Sequence, residues 1–122
     1  MTPLARVVEE FLPLRPVVFQ VLLSLADGER HGYAIVQDIA ERSSARLQLE
    51  PGNLYRHLKF MLDEGLIEES DRRPVAGKDD ERRRYYRMTR FGRQVALAEA
   101  ARLEAVAVDA RARLLARTPG RS

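Results

Sequence analysis

The chain has 122 residues, no cysteine, two histidines and a formal net charge of +3. This length fits one domain with a modest core and is small for a substrate-cleft enzyme, while the lack of cysteine excludes disulfides and thiolate metal sites. No apolar run is long enough to cross a bilayer. We therefore expect a cytoplasmic protein with no membrane partner and no cofactor.

Apolar residues at helical spacing predict three helices in the first part of the chain. They cover, in order, Leu4 to Leu12, Val17 to Ala26 and Gly32 to Arg42. In the first of them, Leu4, Val8 and Phe11 share one face, and two prolines follow it. An apolar face on so short a helix needs another surface to cover it.

A fourth helix is predicted from Pro51 to the stop at Gly65, because proline suits a first helical turn and glycine suits a helix end. Its buried stripe consists of Leu54, Leu58, Met61 and Leu62. Asn53, Arg56 and Lys59 fall outside this stripe. Side chains of these types donate to phosphates and to base edges in the major groove, so the pattern favours a DNA recognition helix. A solvated amphipathic helix explains the same pattern.

Two short strands are predicted after this helix, at Leu66 to Ser70 and at Arg84 to Met88. Residues 51–93 hold 11 basic and 8 acidic residues, whereas residues 1–50 hold 5 and 7. The loop between the strands is therefore a candidate wing on the DNA backbone. Its candidate contacts are Arg72, Arg73, Lys78, Arg82, Arg83 and Arg84. Coding bias toward arginine is the alternative explanation, and the acidic run Asp79–Glu81 argues against a purely phosphate-binding loop.

A last helix is predicted from about Arg90 to Ala116, with Thr89 as its N-cap. Its apolar stripe of about 25 residues is longer than a small domain needs to cover itself, which favours a partner helix. The stripe contains Phe91, Val95, Ala98, Leu103, Val106, Ala110 and Leu114. The predicted fold is mainly α with a small β-hairpin. It divides into residues 1–89, a C-terminal helix over 90–117 and a disordered tail over 118–122.

Four fragments in this order resemble the PadR family of bacterial transcriptional regulators, and the likeness covers about Val17 to Gly92. They are His31-Gly32-Tyr33, Gly52 to Leu58, Gly65 to Glu68, and Arg84 to Gly92. The chain is similar to the small branch of that family. The resemblance implies a winged helix-turn-helix domain followed by one long helix. It also implies dimers built from this helix and the N-terminal one. The predicted dimerisation residues are Leu4, Val8, Phe11, Val95, Leu103, Val106, Ala110 and Leu114.

The resemblance also implies roles for single residues. Tyr33 matches a tyrosine close to the DNA backbone in the family, although packing over a helix start explains it equally. Tyr55 matches the tyrosine of the recognition helix, with a DNA contact and a core hydroxyl as alternatives. Asn53 stands where the family usually has serine or threonine. Glu50 departs further, because a carboxylate facing DNA repels it.

The leading hypothesis is a homodimeric repressor that binds double-stranded DNA at a palindromic operator, with recognition helices about 34 Å apart. Resemblance suggests release by a small aromatic or lipophilic effector. Phe11 and Phe19 are its candidate contacts, and core packing is the alternative role for both.

The sequence leaves two alternative functions. The first is a winged-helix module that binds a protein and not DNA, favoured by Glu50 and by the acidic run in the wing. The second is an enzyme. No nucleophile elbow, phosphate loop or partnered catalytic histidine supports an enzyme, so we expect none.

Overall fold

A computed structural model of the chain describes residues 7–44, 49, 51–70 and 84–116. Along these residues lie one short 3-10 helix, four α-helices and three short strands. Their bounds, in chain order, are the 3-10 helix Val8–Phe11, α1 Pro16–Ser24, β1 Arg30–His31, α2 Gly32–Arg42, α3 Pro51–Asp63, β2 Ile67–Glu69, β3 Tyr85–Met88 and α4 Arg90–Leu115. Among the described helices, none is long and apolar enough to cross a membrane.

The core lies between α1, α2 and α3 and is closed by the sheet and by the start of α4. Its fully buried side chains are Val18, Val21, Leu22, Ile35, Ile39, Leu54, Leu58, Met61, Leu66, Ile67 and Val95. Each such side chain contributes about 1.5 to 3 kcal/mol through removal from water. The first three α-helices therefore form one packed unit that fixes the position of α3.

The sheet has three strands in the order β1-β3-β2, and both pairs are antiparallel. Ile67 pairs with Met88 in the predicted hairpin, and Arg30 pairs with Tyr86 on the other side of β3. The predicted mainly α fold with a small hairpin is confirmed, and β1 is added to it. A strand of two residues has no alternating pattern that a sequence could show.

The N-terminal segment differs from its prediction. A helix from Leu4 to Leu12 was expected, whereas the described part forms only the 3-10 helix Val8–Phe11, after which Leu12 is extended. Val7 is already extended before this helix, and Pro13 favours the extended conformation of Leu12 after it, so the described helix is limited to four residues. Leu14 is buried, and its N–H donates to Oε1 of Glu99 at 3.3 Å. This contact ties the segment to α4.

Helix α4 begins at a side-chain cap and at a contact with the end of α3. Thr89 Oγ1 accepts a hydrogen bond from the N–H of Gly92 at 2.9 Å, which confirms the predicted N-cap of α4. The same hydroxyl donates to the carbonyl oxygen of Gly65 at 2.6 Å. Gly65 follows α3 with a φ of 77°, a conformation that glycine adopts without strain. The end of α3 and the start of α4 therefore meet at one joint.

Gly92 completes this joint. A Cβ at Gly92 would overlap the carbonyl oxygen of Leu66 and would lie 2.9 Å from its carbonyl carbon. Only glycine lets the first turn of α4 approach the backbone after α3 so closely. Beyond Glu99, α4 leaves the core, and most of its side chains from Ala100 onward are exposed.

Candidate nucleic-acid interface

Helix α3 has two faces of opposite character. Leu54, Leu58 and Met61 are at most 1% exposed, as the sequence predicted, and Leu62 is half-buried. The opposite face exposes Asn53, Tyr55, Arg56, Lys59 and Phe60. The buried face fixes the helix on α1 and α2, so the polar face is held outward at a defined angle.

The polar side chains on this face interact with partners one turn away. Arg56 Nη2 donates to Asn53 Oδ1, and His57 Nδ1 lies 2.8 Å from the carbonyl oxygen of Asn53. Lys59 Nζ lies 3.2 Å from Asp63 Oδ2. Exposed pairs of this kind are worth about 0.2 to 0.5 kcal/mol, so a phosphate or a base edge replaces them at little cost.

Tyr55 connects the polar face of α3 to the start of α2. Its side chain is 44% exposed, and its hydroxyl would lie only 3.3 Å from a Cβ placed on Gly32. The ring therefore packs against the backbone of Gly32 while part of it faces solvent. This position is compatible with both alternatives that the sequence left for Tyr55.

Tyr33 follows Gly32, against which Tyr55 of α3 packs, and it belongs to an aromatic group formed by His31, Tyr33 and Tyr85. The rings of His31 and Tyr33 stack at 6.5 Å, and Tyr85 meets His31 edge-on at 5.4 Å. His31 Nδ1 also caps α2 by accepting from the N–H of Ala34 at 3.1 Å. Tyr33 itself is 61% exposed. The capping role of His31 is not recognisable from the sequence, because histidine is not among the residues that mark a helix start.

The described base of the wing contains two arginines that pair with β2. Arg84 lies 3.2 Å from Glu69, and Arg87 lies 2.8 Å from Glu68. All four side chains are substantially exposed, so these pairs contribute little to stability. The other predicted wing contacts, Arg72, Arg73, Lys78, Arg82 and Arg83, lie outside the described residues. So do Glu50 and Asp79–Glu81.

Tyr86 on β3 faces the core on the inner side of the sheet. Burial raises the pKa of its phenol, and the negative charge of Glu69 raises that pKa further. The phenol is therefore neutral at physiological pH. It packs as part of the core and carries no charge toward the surface.

The predicted dimerisation residues fall into two groups. Val95 is fully buried within the protomer, and Phe11 meets Phe91 edge-on at 5.5 Å. Val8 and Ala110 are half-buried. Leu103, Val106 and Leu114 are 41%, 53% and 80% exposed. Leu4 lies outside the described residues. Of the predicted residues that the structure describes, the three that stay exposed lie on the outer part of α4.

The model of the transcriptional regulator PadR-like family matches residues 21–98 of the chain. No curated protein sequence matches it significantly.

Solved structures extend the likeness to most of the chain. A PadR family regulator from Eggerthella lenta is 25% identical, with a TM-score of 0.65, and the match covers 91% of this chain and 87% of that one. A PadR-like regulator from Bacillus cereus is 19% identical, with a TM-score of 0.67, and the match covers 90% of this chain and 97% of that one. Bacillus subtilis PadR in complex with operator DNA is 26% identical, with a TM-score of 0.59, 69% of this chain and 46% of that chain covered.

Proposed function

Because the chain belongs to the PadR-like family of transcriptional regulators, we propose that it is a homodimeric repressor that binds a palindromic operator through α3. Membership in a family of regulators also agrees with the prediction that the chain is not an enzyme. Bacillus subtilis PadR has been crystallised with operator DNA, and its likeness to this chain supports DNA as the partner.

The outer face of α3 is the observation that carries the proposal. Arg56 and Lys59 are exposed there, and their only described partners are exposed groups on the same helix. An α-helix fits the major groove, where arginine and lysine donate to guanine and asparagine binds adenine. We assign Arg56, Lys59 and Asn53 to base edges or nearby phosphates, and Tyr33 and Tyr55 to the backbone beside them.

The wing is assigned to the flanking DNA backbone. Arg84 is exposed at the base of the wing, and its pairing with Glu69 is weak enough to be exchanged for a phosphate. The proposal extends to Arg72, Arg73, Lys78, Arg82 and Arg83 on the basis of charge and position in the sequence. These side chains would bind all sequences similarly and would set the register of α3.

The exposed apolar surface on α4 supports the proposed dimer. Leu103, Val106 and Leu114 lie on one side of that helix at helical spacing, and one protomer has nothing described that covers them. A second copy of α4 would bury them, with Ala110 and Val8 at the edge of the contact. A two-fold dimer would place two copies of α3 about 34 Å apart, in successive major grooves.

Release of the operator is assigned to a small aromatic or lipophilic effector. Phe11 and Phe19 are half-buried and pack against the core, and Phe11 also lines an open cavity of about 280 Å³. An effector shifts the dimer away from DNA only if it binds the DNA-incompetent form more tightly. A panel of aromatic acids, phenols and fatty acids tests this part, and unchanged DNA affinity across the panel would remove it.

Fluorescence anisotropy tests the proposal as a whole. The purified protein is titrated onto a duplex from upstream of its own gene and onto a scrambled duplex, across a salt series. Tighter binding to the upstream duplex, with log affinity falling linearly against log salt, is the expected result. Negligible binding to both duplexes at low salt would contradict DNA binding and favour a protein-interaction module.

A further inference from the structure

Arg15 lies beside α3 on the border that faces away from Tyr33. It is the residue before α1, with an extended conformation and no side-chain cap hydrogen bond. An open cavity of about 410 Å³ is lined by Arg15, Arg56, His57 and Phe60. The turn between the N-terminal segment and α1 therefore brings an arginine against the recognition helix, 41 positions before Arg56 in the sequence.

The two borders of α3 are on different sides of its outer face. Tyr55 faces α2, where it packs on Gly32. Phe60, five residues later, lies about 140° further round the helix, at the 100° per residue of an α-helix. Arg56 falls between them. One border of the outer face therefore has Tyr33, and the other has Arg15.

The lining of this cavity is cationic. Among the described residues, it contains two guanidinium groups, one imidazole and no carboxylate. A neighbouring cavity shares Arg15 and Phe60 but also contains Glu10 and Glu64. These carboxylates disfavour an anion there and leave the Arg56 side as the place for one. Among the described residues Arg15 forms no ion pair, so its guanidinium is available.

The geometry of the major groove explains why a cation on this border of α3 would contact DNA. The groove is about 12 Å wide and has a phosphate backbone along each edge, so a helix inside it meets phosphates on both of its borders. Contacts of this kind hold a recognition helix in register. The positive end of α1, which begins directly after Arg15, adds to the favourable potential.

We propose that Arg15 binds a backbone phosphate of the operator on the border of α3 opposite Tyr33. This inference rests on the proposed function and adds a contact from outside the helix-turn-helix and the wing. Arg56 still faces the major groove, and its positive charge makes the electrostatic potential at the phosphate more favourable. Phe60 lines the same cavity beside Arg15 and Arg56.

The experiment compares Arg15→Ala with Arg15→Lys and with Arg111→Ala, an exposed arginine on α4 that removes the same charge far from α3. Anisotropy is measured on the upstream and scrambled duplexes across a salt series. Arg15→Ala is expected to weaken binding to both duplexes by about tenfold, because a charge-assisted contact is lost without a change in base reading. The slope of log affinity against log salt should fall by about 1 for each protomer bound. Arg15→Lys should restore most of the slope.

Phosphate ethylation interference locates the contact. Ethylation of one phosphate in each half-site should impair binding of the unmodified protein and should have no further effect on Arg15→Ala. Equal affinities, slopes and interference patterns for Arg15→Ala and Arg111→Ala would overturn the inference. Failure of the unmodified protein to bind either duplex would instead contradict the proposed function, so the two failures are distinguishable. A thermal melt of each variant confirms that it folds.

Discussion

The outer face of α3 and the outer part of α4 are both exposed, but they have opposite chemistry. On α3, the charged side chains of Arg56 and Lys59 are exposed to water and interact with partners on the same helix. On α4, Leu103, Val106 and Leu114 are apolar and at least 41% exposed. The polar groups on α3 already have hydrogen-bonding partners, and in the proposed function a charged partner would replace these weak pairs. The apolar residues on α4 would be removed from water only by contact with another apolar surface.

The contrast separates two kinds of dependence on a partner. In the proposed function, binding at α3 would exchange one set of polar contacts for another, so it would depend on salt and on geometry. Association through α4 removes apolar surface from water, so it depends on buried area and responds little to salt. The joint between Gly65 and Gly92 sets the angle between these surfaces. Substitutions at four places in the chain test the comparison.

The largest effect is expected at the joint itself. Gly92→Ala places a methyl group against the carbonyl of Leu66, where backbone on both sides leaves little room to adjust. We expect a loss of about 3 kcal/mol or more in the free energy of unfolding, measured by urea denaturation. DNA binding and dimer formation should be lost together, because both surfaces depend on this contact.

Gly52→Ala is the matched control for this change. A Cβ at Gly52, near the start of α3, has no neighbour within 4 Å. Alanine is favoured over glycine in a helix by about 0.5 to 1 kcal/mol, so this variant should be slightly more stable than the unmodified protein. A similar loss of stability in both variants would show that the close approach at Gly92 is not the cause.

The second test breaks the apolar surface and leaves the polar one intact. Replacing both Leu103 and Val106 by glutamate places two charges where a second α4 would pack. The dimer should weaken by about 2 kcal/mol or more, and sedimentation equilibrium measures the shift to monomer. Protomer stability should change little, since both positions are exposed within it.

Glu104→Ala, also exposed on α4, controls for a change at this helix without a new charge in the stripe. The double variant should also lose affinity for the palindromic duplex, because two linked α3 helices no longer bind together. A double variant that stays dimeric would remove α4 as the dimer surface.

The third test acts on α3 alone. Arg56→Ala should weaken specific binding by about 1 to 3 kcal/mol if Arg56 reads a base edge, with a smaller effect on the scrambled duplex. Fluorescence anisotropy on the two duplexes gives the ratio of affinities, and Arg111→Ala again controls for lost charge. Equal losses on both duplexes would make Arg56 a phosphate contact, and no loss would remove it from the interface.

Sequence periodicity was sufficient for the elements with long, regular patterns. The bounds of α2, the stripe of Leu54 and Leu58, the stop at Gly65 and the cap at Thr89 all follow from local residue chemistry. What the sequence did not show depends on contacts between distant residues. Strand β1 is recognisable only through its pairing with β3. Arg15 comes beside α3 only when α1 packs on the core.

The smallest effect is expected at a buried carboxylate that holds the N-terminal segment on α4. Glu99 is 3% exposed, accepts from the N–H of Leu14, and pairs with Arg102 at 2.8 Å. The hydrogen bond from Arg102 lowers the pKa of Glu99; burial raises it, and the bond from Leu14 lowers it further. A lowered pKa in the folded state means that Glu99 stabilises the protein above about pH 4.5, its ordinary value. This contribution is lost as the pH falls through the lowered pKa.

Glu99→Gln keeps an oxygen for Leu14 but removes the charge that binds Arg102. We expect a loss of about 1 kcal/mol at pH 7 and a smaller fall in stability between pH 7 and pH 3 than in the unmodified protein. Urea denaturation at a series of pH values measures both. Some acid sensitivity should remain, because the pKa of Asp38 is also lowered. Burial raises the pKa of Asp38, but the hydrogen bonds from Arg42 and Ser24 lower it by more. Parallel pH curves for variant and unmodified protein would show that the pKa of Glu99 is the same in the folded and the unfolded state. The N-terminal segment would then be held on α4 chiefly by apolar contacts, among them that of Phe11 with Phe91.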